Sequence, residues 1–253
     1  MGKVWLVGAG PGAPDLLTLR AARLLEAADI VLHDALVHPE TLALAKRARR
    51  LDVGKRYGKV STEQRFINRA LIEAARTHEV VVRLKGGDPM LFGRAQEELD
   101  ALRAVGIECE VVPGVTAALA AAASLKVSLT RRGRARNIAF VTARHGRGEA
   151  EVEWIAAARS ADTVALYMAA GQAREIAAAL IAAGKSPDMP IALVENASLG
   201  GERRMFGSLA SLGVTPLPSL AGPVLMLVGE VLGEALAQAR RSDDAAMPDV
   251  RYA

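Results

Sequence analysis

The sequence predicts an α/β protein built from two α/β domains. Short runs rich in Val, Ile and Leu alternate along the 253 residues with longer Ala- and Leu-rich segments at helical spacing. This alternation is typical of sheets whose faces are covered by helices. A Pro113-Gly114 pair divides the series, so we predict an N-terminal domain over residues 1–113 and a C-terminal domain over 114–241. Residues 242–253 are polar, carry Pro248 and lack periodicity, which predicts a frayed tail.

Each expected strand is a short apolar run, and each expected helix is a longer segment with 3.6-residue spacing. In the first domain the strands are KVWLV at 3–7, ADIVL at 28–32, RRLDV at 49–53, EVVVRL at 79–84 and ECEVV at 108–112, with helices over 16–28, 63–77 and 92–105. In the second domain the strands are NIAFVTA at 137–143, TVALYM at 163–168, PIALVE at 190–195, RRMFG at 203–207 and PVLMLVG at 223–229, with helices over 154–160, 173–184 and 230–240.

The composition argues against several classes of protein. Aromatic residues make up 4% of the chain and the net charge is only +4, so neither base-stacking platforms nor a strong basic surface for nucleic acid is expected. The single cysteine, Cys109, excludes an intrachain disulfide, and its place in a strand predicts a buried, inert thiol. The four histidines are too far apart for a local metal motif, so no metal is expected.

We expect a soluble, cytoplasmic protein. The longest uncharged stretch, 111–125, is shorter than a membrane-spanning helix and is interrupted by Pro113 and Gly114. Glycines break the N-terminal apolar stretch before it reaches the length of a signal peptide's core. No membrane partner is therefore expected.

Three junctions rich in glycine and proline follow predicted strands of the first domain. They read GAGPGAPD at 8–15, RLKGGDPMLFGR at 83–94 and VVPGVTAAL at 111–119. Ligands of α/β proteins bind beyond the carboxyl ends of the strands, and glycine allows close approach of the backbone. The three junctions together predict one small-molecule site, whereas each alone is equally compatible with an ordinary turn. Arg94, Glu97 and Glu98, on the helix that follows the second junction, are expected to be solvated charges.

The first junction also satisfies a dinucleotide-binding pattern. Gly8, Gly10 and Ala13 have the G-x-G-x-x-G/A spacing, and Asp34 closes the second strand, where an acidic residue would bind a ribose hydroxyl. A nucleotide-dependent oxidoreductase is therefore the alternative from another enzyme class. Pro11 removes one backbone N–H from the loop, and Asp15 is expected to cap the following helix, where it would repel a phosphate. Both features favour a ligand without phosphate.

The ordered set of motifs resembles the uroporphyrinogen-III C-methyltransferases, within the wider family of tetrapyrrole methylases. The resemblance runs from about residue 3 to residue 235. It is carried by VWLVGAGPGAPDLLTLRA at 4–21, ADIVLHDALV at 28–37, VGKR at 53–56, RLKGGDPMLFGR at 83–94, VVPGVTAA at 111–118, VSLTRR at 127–132, ALYM at 165–168, PIALVENAS at 190–198 and PVLMLVGEV at 223–231.

The resemblance implies two α/β domains with the active site in the cleft between them, and usually a homodimer. It implies methylation of uroporphyrinogen III at carbons 2 and 7 to give precorrin-2, for siroheme or cobalamin synthesis, with S-adenosyl-L-methionine as methyl donor and S-adenosyl-L-homocysteine as product. By the same match, Asp34 is the proton acceptor and Lys55 the proton donor. The implied donor-binding residues are Pro11, Gly86, Gly87, Asp88, Leu91, Thr116, Ala117, Met168 and Ala197.

Two arginines are the main candidates to bind the substrate. Uroporphyrinogen carries eight carboxylates, and the planar guanidinium group binds carboxylates in a bidentate manner. We therefore expect Arg131 and Arg132, just after the third junction, to contact the tetrapyrrole. Such a pyrrole is electron-rich enough to attack a sulfonium methyl directly, so the chemistry requires neither a metal nor a nucleophilic side chain.

The sequence departs from the family pattern at several positions. Alanines replace the usual glycines at Ala169 and Ala197, and Arg131 replaces a histidine. These departures leave a methyltransferase acting on a later precorrin as the nearest alternative. A relative that methylates ribosomal RNA or a protein fits the chain less well, and a non-catalytic tetrapyrrole carrier is a third possibility.

Overall fold

A computed structural model describes residues 2–54, 64–144, 154–215 and 219–241. Its contacts divide the chain into two compact units, Met1–Ala117 and Ala118–Ala253, and each unit contains one five-stranded sheet. The α/β fold class is therefore confirmed. The proposed boundary at Pro113-Gly114 lies a few residues before this division.

The first unit has a wholly parallel sheet in the order β3-β2-β4-β1-β5. Its strands are β1 (Lys3–Gly8), β2 (Ile30–His33), β3 (Arg49–Asp52), β4 (Val80–Lys85) and β5 (Cys109–Val112). Its helices are α1 (Leu19–Ala27), α2 (Pro39–Ala43), α3 (Gln64–Thr77) and α4 (Ala95–Ala104). All five carboxyl ends lie at one edge of this sheet, because parallel strands run in one direction.

The two faces of the first sheet are buried against different helices. On one face Leu6 and Val81 pack in a cluster with residues of α3 and α4. On the other face Val7 and Val82 pack in a cluster that includes Leu25 of α1. Neighbouring residues of one strand point to opposite faces, so continuous apolar runs are required when both faces are covered. This explains the apolar runs of β1 and β2, whereas β3, at the edge of the sheet, is largely polar and exposed.

The second unit has a mixed sheet in the order β6-β7-β10-β8-β9. Its strands are β6 (Ile138–Thr142), β7 (Thr163–Tyr167), β8 (Pro190–Glu195), β9 (Arg203–Ser208) and β10 (Val224–Gly229). Its helices are α5 (Ala117–Leu125, whose first residue belongs to the first unit), α6 (Trp154–Ser160), α7 (Ala173–Ala182), α8 (Leu209–Val214) and α9 (Gly233–Arg241). Strand β10 is antiparallel to both β7 and β8, so β7 and β8 run in the same direction and end at the same edge.

All ten predicted strands are present, whereas some helix boundaries were wrong. Helix α1 begins at Leu19 because Thr18 caps it by accepting a hydrogen bond from the Ala21 N–H, and Pro14–Leu16 forms a separate 3₁₀ turn. Helix α4 begins at Ala95, three residues later than predicted. The short helices α2 and α8 were not predicted, because helices of five or six residues are too short to show a periodic apolar pattern.

Within the described ranges, no helix is both long enough and apolar enough to cross a membrane.

Candidate functional site

The three glycine-rich junctions of the first unit meet beyond the carboxyl ends of neighbouring strands. Gly10 and Gly87 exchange two backbone hydrogen bonds, of 3.2 and 2.7 Å, which join the first junction to the second. The Gly114 N–H donates to Asp88 Oδ2 at 2.9 Å, which joins the third junction to the second. The sequence prediction that these loops lie together is confirmed for the first unit.

Two glycines are required for this close packing of the loops. A Cβ at Gly8 would lie 2.6 Å from the backbone of Gly114, and a Cβ at Gly114 would lie 2.3 Å from the carbonyl oxygen of Gly87. Contacts this short with backbone atoms cannot be relieved by a side-chain movement. Gly8 and Gly114 are therefore needed to bring the three loops together, rather than to contact a ligand.

Gly86 and Gly87 have a different environment. Among the described residues, a Cβ at Gly86 would have the Leu36 Cβ, at 3.7 Å, as its one neighbour within 4 Å, and Gly86 is exposed. Gly87 has a φ of 67°, which favours glycine, and a Cβ there would reach Thr116 Cα at 4.0 Å. Exposed backbone without side chains is what a ligand needs to approach closely, so these residues form an open cradle.

Most other donor-binding candidates of the first unit belong to these same loops. Pro11 follows Gly10 directly, and Thr116 and Ala117 follow Gly114 at the start of α5. Asp88 also accepts a hydrogen bond from the Met90 N–H at 2.8 Å, and the Leu91 N–H donates to the Asp88 carbonyl. The Asp88 carboxylate thus holds the second loop and the third loop in fixed positions.

Asp34 lies directly after β2 and is paired with a buried cation. Its Oδ1 accepts a hydrogen bond from Arg83 Nη2 at 2.5 Å, while its own side chain is 30% exposed. Its backbone N–H donates to the Leu84 carbonyl, which fixes the loop against β4. Gly54 packs against this loop so closely that a Cβ would lie 1.9 Å from the Ala35 nitrogen. Asp34 is therefore a partly exposed carboxylate on a rigid support.

Behind Asp34 lies a buried network of charges that the sequence analysis missed. Glu98 is fully buried and its carboxylate accepts hydrogen bonds from Arg83 at 3.0 Å, Lys85 at 3.1 Å and Gln64 at 3.2 Å. The prediction that Glu98 is a solvated charge was wrong. With Asp34, the described part of this network has two cations and two carboxylates, so their formal charges cancel. Burial lowers the pKa of Lys85 below its ordinary value, and the neighbouring Arg83 charge acts in the same direction.

The position of Glu98 could have been recognised from helical spacing. Ala95, Glu98 and Leu102 are all buried, and they follow the i, i+3, i+7 spacing of one helix face. Arg83 and Lys85 likewise lie within a parallel strand that is covered on both faces. These positions pointed to burial, although the residue types alone suggested solvent exposure.

The geometry of the first loop does not suit a dinucleotide phosphate. In such sites the pyrophosphate lies at the N-terminus of the helix that follows the loop directly. Here α1 begins at Leu19, well beyond Gly12, and a 3₁₀ turn lies between them. The prediction that Asp15 caps the helix was wrong, because Thr18 does so and Asp15 is exposed in the 3₁₀ turn. The argument against a phosphate therefore rests on the late helix start and on Pro11.

In the second unit, Met168 and Ala197 follow β7 and β8 at the same edge of the mixed sheet. Tyr167 and Val194, near the ends of these strands, both pair in register with Leu225 of β10. Met168 is exposed and has a φ of 57°, and Asn196, beside Ala197, has a φ of 53°. Left-handed conformations of residues other than glycine carry strain and cluster at functional sites.

The two alanines that replace glycine in this region are accommodated within the protein. Ala169 is a member of the apolar core of the second unit, and Ala197 is 5% exposed. Their methyl groups are thus buried, while the exposed side chain at this edge is that of Met168.

The two candidate substrate-binding arginines differ in their surroundings. Arg131 Nη1 donates to Glu234 Oε1 at 2.7 Å, and the backbones of Arg131 and Ala135 exchange hydrogen bonds in a tight turn. Arg132 is exposed at the tip of this turn and pairs with no carboxylate among the described residues. Arg132 is thus the better placed of the two to meet an anionic ligand.

Two further expectations concern Lys55 and Cys109. Lys55, the candidate proton donor, lies outside the described residues. Cys109 is half-buried, and burial raises the pKa of its thiol to about 11. A thiol with this pKa is protonated at neutral pH, which agrees with the predicted inert role. In the part of the chain that the structure describes, no cluster of His, Cys, Asp or Glu is arranged to hold a metal.

Comparison with known proteins gives a consistent assignment. Residues 3–213 match the sequence model of the tetrapyrrole (corrin/porphyrin) methylases. A uroporphyrinogen-III C-methyltransferase of Pseudomonas aeruginosa is 45% identical over 238 residues, which cover 94% of this chain and 97% of that protein. A siroheme synthase of Chromobacterium violaceum is 44% identical over 97% of this chain but only 53% of its own length, so the chain spans about half of that relative.

A solved structure is similar to this chain in both sequence and fold. It is the uroporphyrin-III C-methyl transferase of Thermus thermophilus complexed with S-adenyl homocysteine, which is 42% identical to this chain. The alignment covers 92% of this chain and 100% of that one, with a TM-score of 0.80. The fold, the three joined loops and the match over residues 3–213 together establish that this chain belongs to the tetrapyrrole methylases.

Proposed function

We propose that this protein methylates uroporphyrinogen III at carbons 2 and 7, with S-adenosylmethionine as donor, and so produces precorrin-2. The observation that carries the proposal is the joined loop system of the first unit, in which Gly86 and Gly87 expose backbone beside Asp34 and its buried support. The relative of Pseudomonas aeruginosa, which is 45% identical over nearly the whole chain, bears the name of this activity.

The described residues fit S-adenosylmethionine. Among the described residues, little lies near the side-chain positions of Gly86 and Gly87, and the half-buried Asp88 and Thr116 border these glycines with polar side chains. Met168 adds an exposed apolar side chain in the second unit. We assign donor binding to Pro11, Gly86, Gly87, Asp88, Leu91, Thr116, Ala117, Met168 and Ala197.

The bound donor supplies an electrophilic methyl group on a positively charged sulfur. The protein's main task is then to hold a pyrrole carbon in line with that methyl, and such orientation contributes roughly 7–11 kcal/mol to lowering a barrier. The new carbon–carbon bond forms as the sulfur–carbon bond breaks, and the substituted ring releases a proton. Asp34 accepts this proton in our proposal, and Lys55 returns one elsewhere on the macrocycle.

The environment of Asp34 suits this role. The Arg83 guanidinium orients the carboxylate through Oδ1, while the 30% exposure of the side chain leaves it accessible to a substrate.

We assign Arg131 and Arg132 to the substrate carboxylates. Arg132 carries the larger share, because Arg131 is already paired with Glu234. We further propose that the enzyme acts in the cytoplasm as a homodimer.

Direct binding of the donor tests this proposal. Calorimetric titration with S-adenosylmethionine is expected to show saturable binding, and titration with reduced nicotinamide dinucleotide is expected to show none. Binding of the nicotinamide cofactor instead would support the oxidoreductase alternative, in spite of the late start of α1.

A further inference from the structure

A buried carboxylate lies where the hairpin of β8 and β9 enters its loop. Glu195 is the last residue of β8 and its side chain is 1% exposed. Its Oε2 accepts a hydrogen bond from Arg203 Nε at 2.5 Å, and its Oε1 accepts from the backbone N–H groups of Ala221 and Gly222 at 2.6 and 2.8 Å. Glu195 and Arg203 also face each other in the β8–β9 register.

These contacts join the hairpin to the segment that leads into β10. Arg203 Nη2 donates to the Ser219 carbonyl at 2.6 Å, so both members of the ion pair hold residues 219–222. The Arg203 guanidinium, followed by the two backbone N–H groups, lowers the pKa of Glu195 below its ordinary value. The carboxylate is therefore charged at neutral pH and keeps all three donors.

The clamped segment in turn supports Asn196, which precedes the proposed donor contact at Ala197. The Asn196 N–H donates to the Pro223 carbonyl at 2.9 Å. Its side chain packs so tightly on Gly222 that a Cβ there would lie 1.9 Å from Asn196 Oδ1. Asn196 and Ser198 have φ values of 53° and 74°, and strained residues of this kind persist only when their surroundings hold them.

Stability alone is a weak reason for this arrangement. Taking a carboxylate out of water is expensive, and a buried ion pair usually adds little net stability compared with apolar residues of similar volume. The desolvation cost of Glu195 is explained if the buried carboxylate selects one conformation of the surrounding backbone. Here the backbone that Glu195 organises includes the turn at Asn196, Ala197 and Ser198.

We propose that Glu195 is a positioning residue for methyl transfer, which, by holding residues 219–222 beneath Asn196, fixes the turn that presents Ala197 to the methyl donor. This inference rests on the proposed function, because it takes Ala197 as a donor contact. Arg203 acts with Glu195 by closing the base of the same turn. Neither residue contacts the reacting atoms.

The test compares Glu195→Ala with Glu195→Gln. The alanine variant loses the acceptor for Ala221 and Gly222, and we expect its dissociation constant for S-adenosylmethionine to rise about tenfold, which corresponds to about 1.4 kcal/mol. The glutamine variant keeps an oxygen for both N–H groups but turns its amide N–H groups toward Arg203, so its loss of donor affinity is expected to be smaller than that of the alanine variant and similar to that of Arg203→Ala. The KM for the tetrapyrrole is expected to stay unchanged in both, because the turn faces the donor.

A matched control separates positioning from general destabilisation. Leu180→Ala removes a fully buried side chain of α7 in the core of the same unit. It is expected to lower the unfolding midpoint at least as much as Glu195→Ala does, while donor affinity stays at the wild-type value. Equal losses of donor affinity in Leu180→Ala and Glu195→Ala would overturn the inference, as would wild-type affinity in Glu195→Ala.

Arg203→Ala provides a second variant if Glu195→Ala does not fold. Arg203→Ala leaves the buried Glu195 without its cation but with its two backbone N–H donors, so we expect a folded protein with a lower unfolding midpoint and a severalfold loss of donor affinity. Wild-type affinity in this variant would overturn the inference. If the proposed function is wrong, the wild-type protein itself binds no S-adenosylmethionine. That result would overturn both proposals, whereas the outcomes above would overturn only the role of Glu195.

Discussion

Asp34 is the single residue on which the proposed chemistry depends most directly. It combines partial exposure with a hydrogen bond from buried Arg83, an arrangement that holds a carboxylate in one orientation while leaving it open to a substrate. A side chain that only capped a turn would have no need of a buried cation behind it. The structure therefore supports a chemical role for Asp34 more strongly than the sequence did.

Replacing Asp34 with Asn is expected to lower the rate of methylation about 100-fold or more, because general acid–base groups contribute about 10²–10⁴-fold. The amide oxygen can still accept the hydrogen bond from Arg83, so the fold and donor affinity should be preserved. Single-turnover methyl transfer and calorimetry with S-adenosylmethionine measure the two effects.

A matched control for this substitution is Asp29→Asn. Asp29 directly precedes the first residue of β2, whereas Asp34 follows its last. The Asp29 carboxylate accepts hydrogen bonds from the N–H groups of Glu79 and Val80. Its replacement should leave methyl transfer unchanged. Wild-type turnover in Asp34→Asn would remove Asp34 from the mechanism.

Among structural elements, the glycine loops show how one residue type serves two purposes. Gly8 and Gly114 let the loops pack against each other, whereas Gly86 leaves space beside the backbone. The sequence showed only that glycines were clustered. Only the structure separates the two roles, because they depend on how closely the backbone of another loop approaches each glycine.

This distinction predicts opposite effects for two similar substitutions. Gly86→Ala is expected to fold with wild-type stability but to weaken binding of S-adenosylmethionine about tenfold, because the new methyl group enters the cradle. Gly114→Ala is expected to destabilise the protein by about 1–3 kcal/mol, because its Cβ would lie within 2.3 Å of the Gly87 carbonyl oxygen.

Urea denaturation and calorimetric titration of both variants measure these effects. Strong destabilisation by Gly86→Ala, or wild-type stability of Gly114→Ala, would show that the assignment of the two glycines is wrong.

Glu98 joins α4 to β4 through its ion pairs with Arg83 and Lys85. Replacing Glu98 with Gln would leave the two buried cations, Arg83 and Lys85, with the partly exposed Asp34 as their one carboxylate among the described residues, so we expect a loss of about 3–5 kcal/mol in the free energy of unfolding. Glu97 is the natural control, since it is the preceding residue on the same helix and its side chain is half exposed. Glu97→Gln should change the free energy of unfolding by less than about 0.5 kcal/mol. Equal values for the two variants in urea denaturation would contradict the role given to the network.

The sequence predicted elements well where local pattern determines structure. All ten strands were found. Most are short apolar runs rich in β-branched residues, which favour burial on a sheet, whereas β3 is largely polar and exposed. The burial of Glu98 and the cap of α1 were predicted wrongly, because the first depends on partners distant in sequence and the second on two residues that compete locally. Thr18 and Asp15 are both good capping residues, and only the path of the chain through the 3₁₀ turn at Pro14–Leu16 decides between them.

At the scale of the whole molecule, each of the two units carries residues that the motifs assign to the proposed function. The first unit contains the glycine loops, Asp34 and the buried charges, and the second contains Met168, Ala197 and the arginine turn at 131–135. Resemblance to a family located these residues by motif, and the structure shows the contacts of Asp34, Arg131 and the three glycine-rich loops.

The most direct test of the account is to count the methyl groups that the protein transfers. The wild-type protein is incubated anaerobically with uroporphyrinogen III and methyl-labelled S-adenosylmethionine, and the tetrapyrrole is then examined by mass spectrometry. We predict a product with two labelled methyl groups. An unmodified tetrapyrrole, recovered from a protein that binds S-adenosylmethionine, would contradict the assignment of uroporphyrinogen III as substrate and favour a later precorrin.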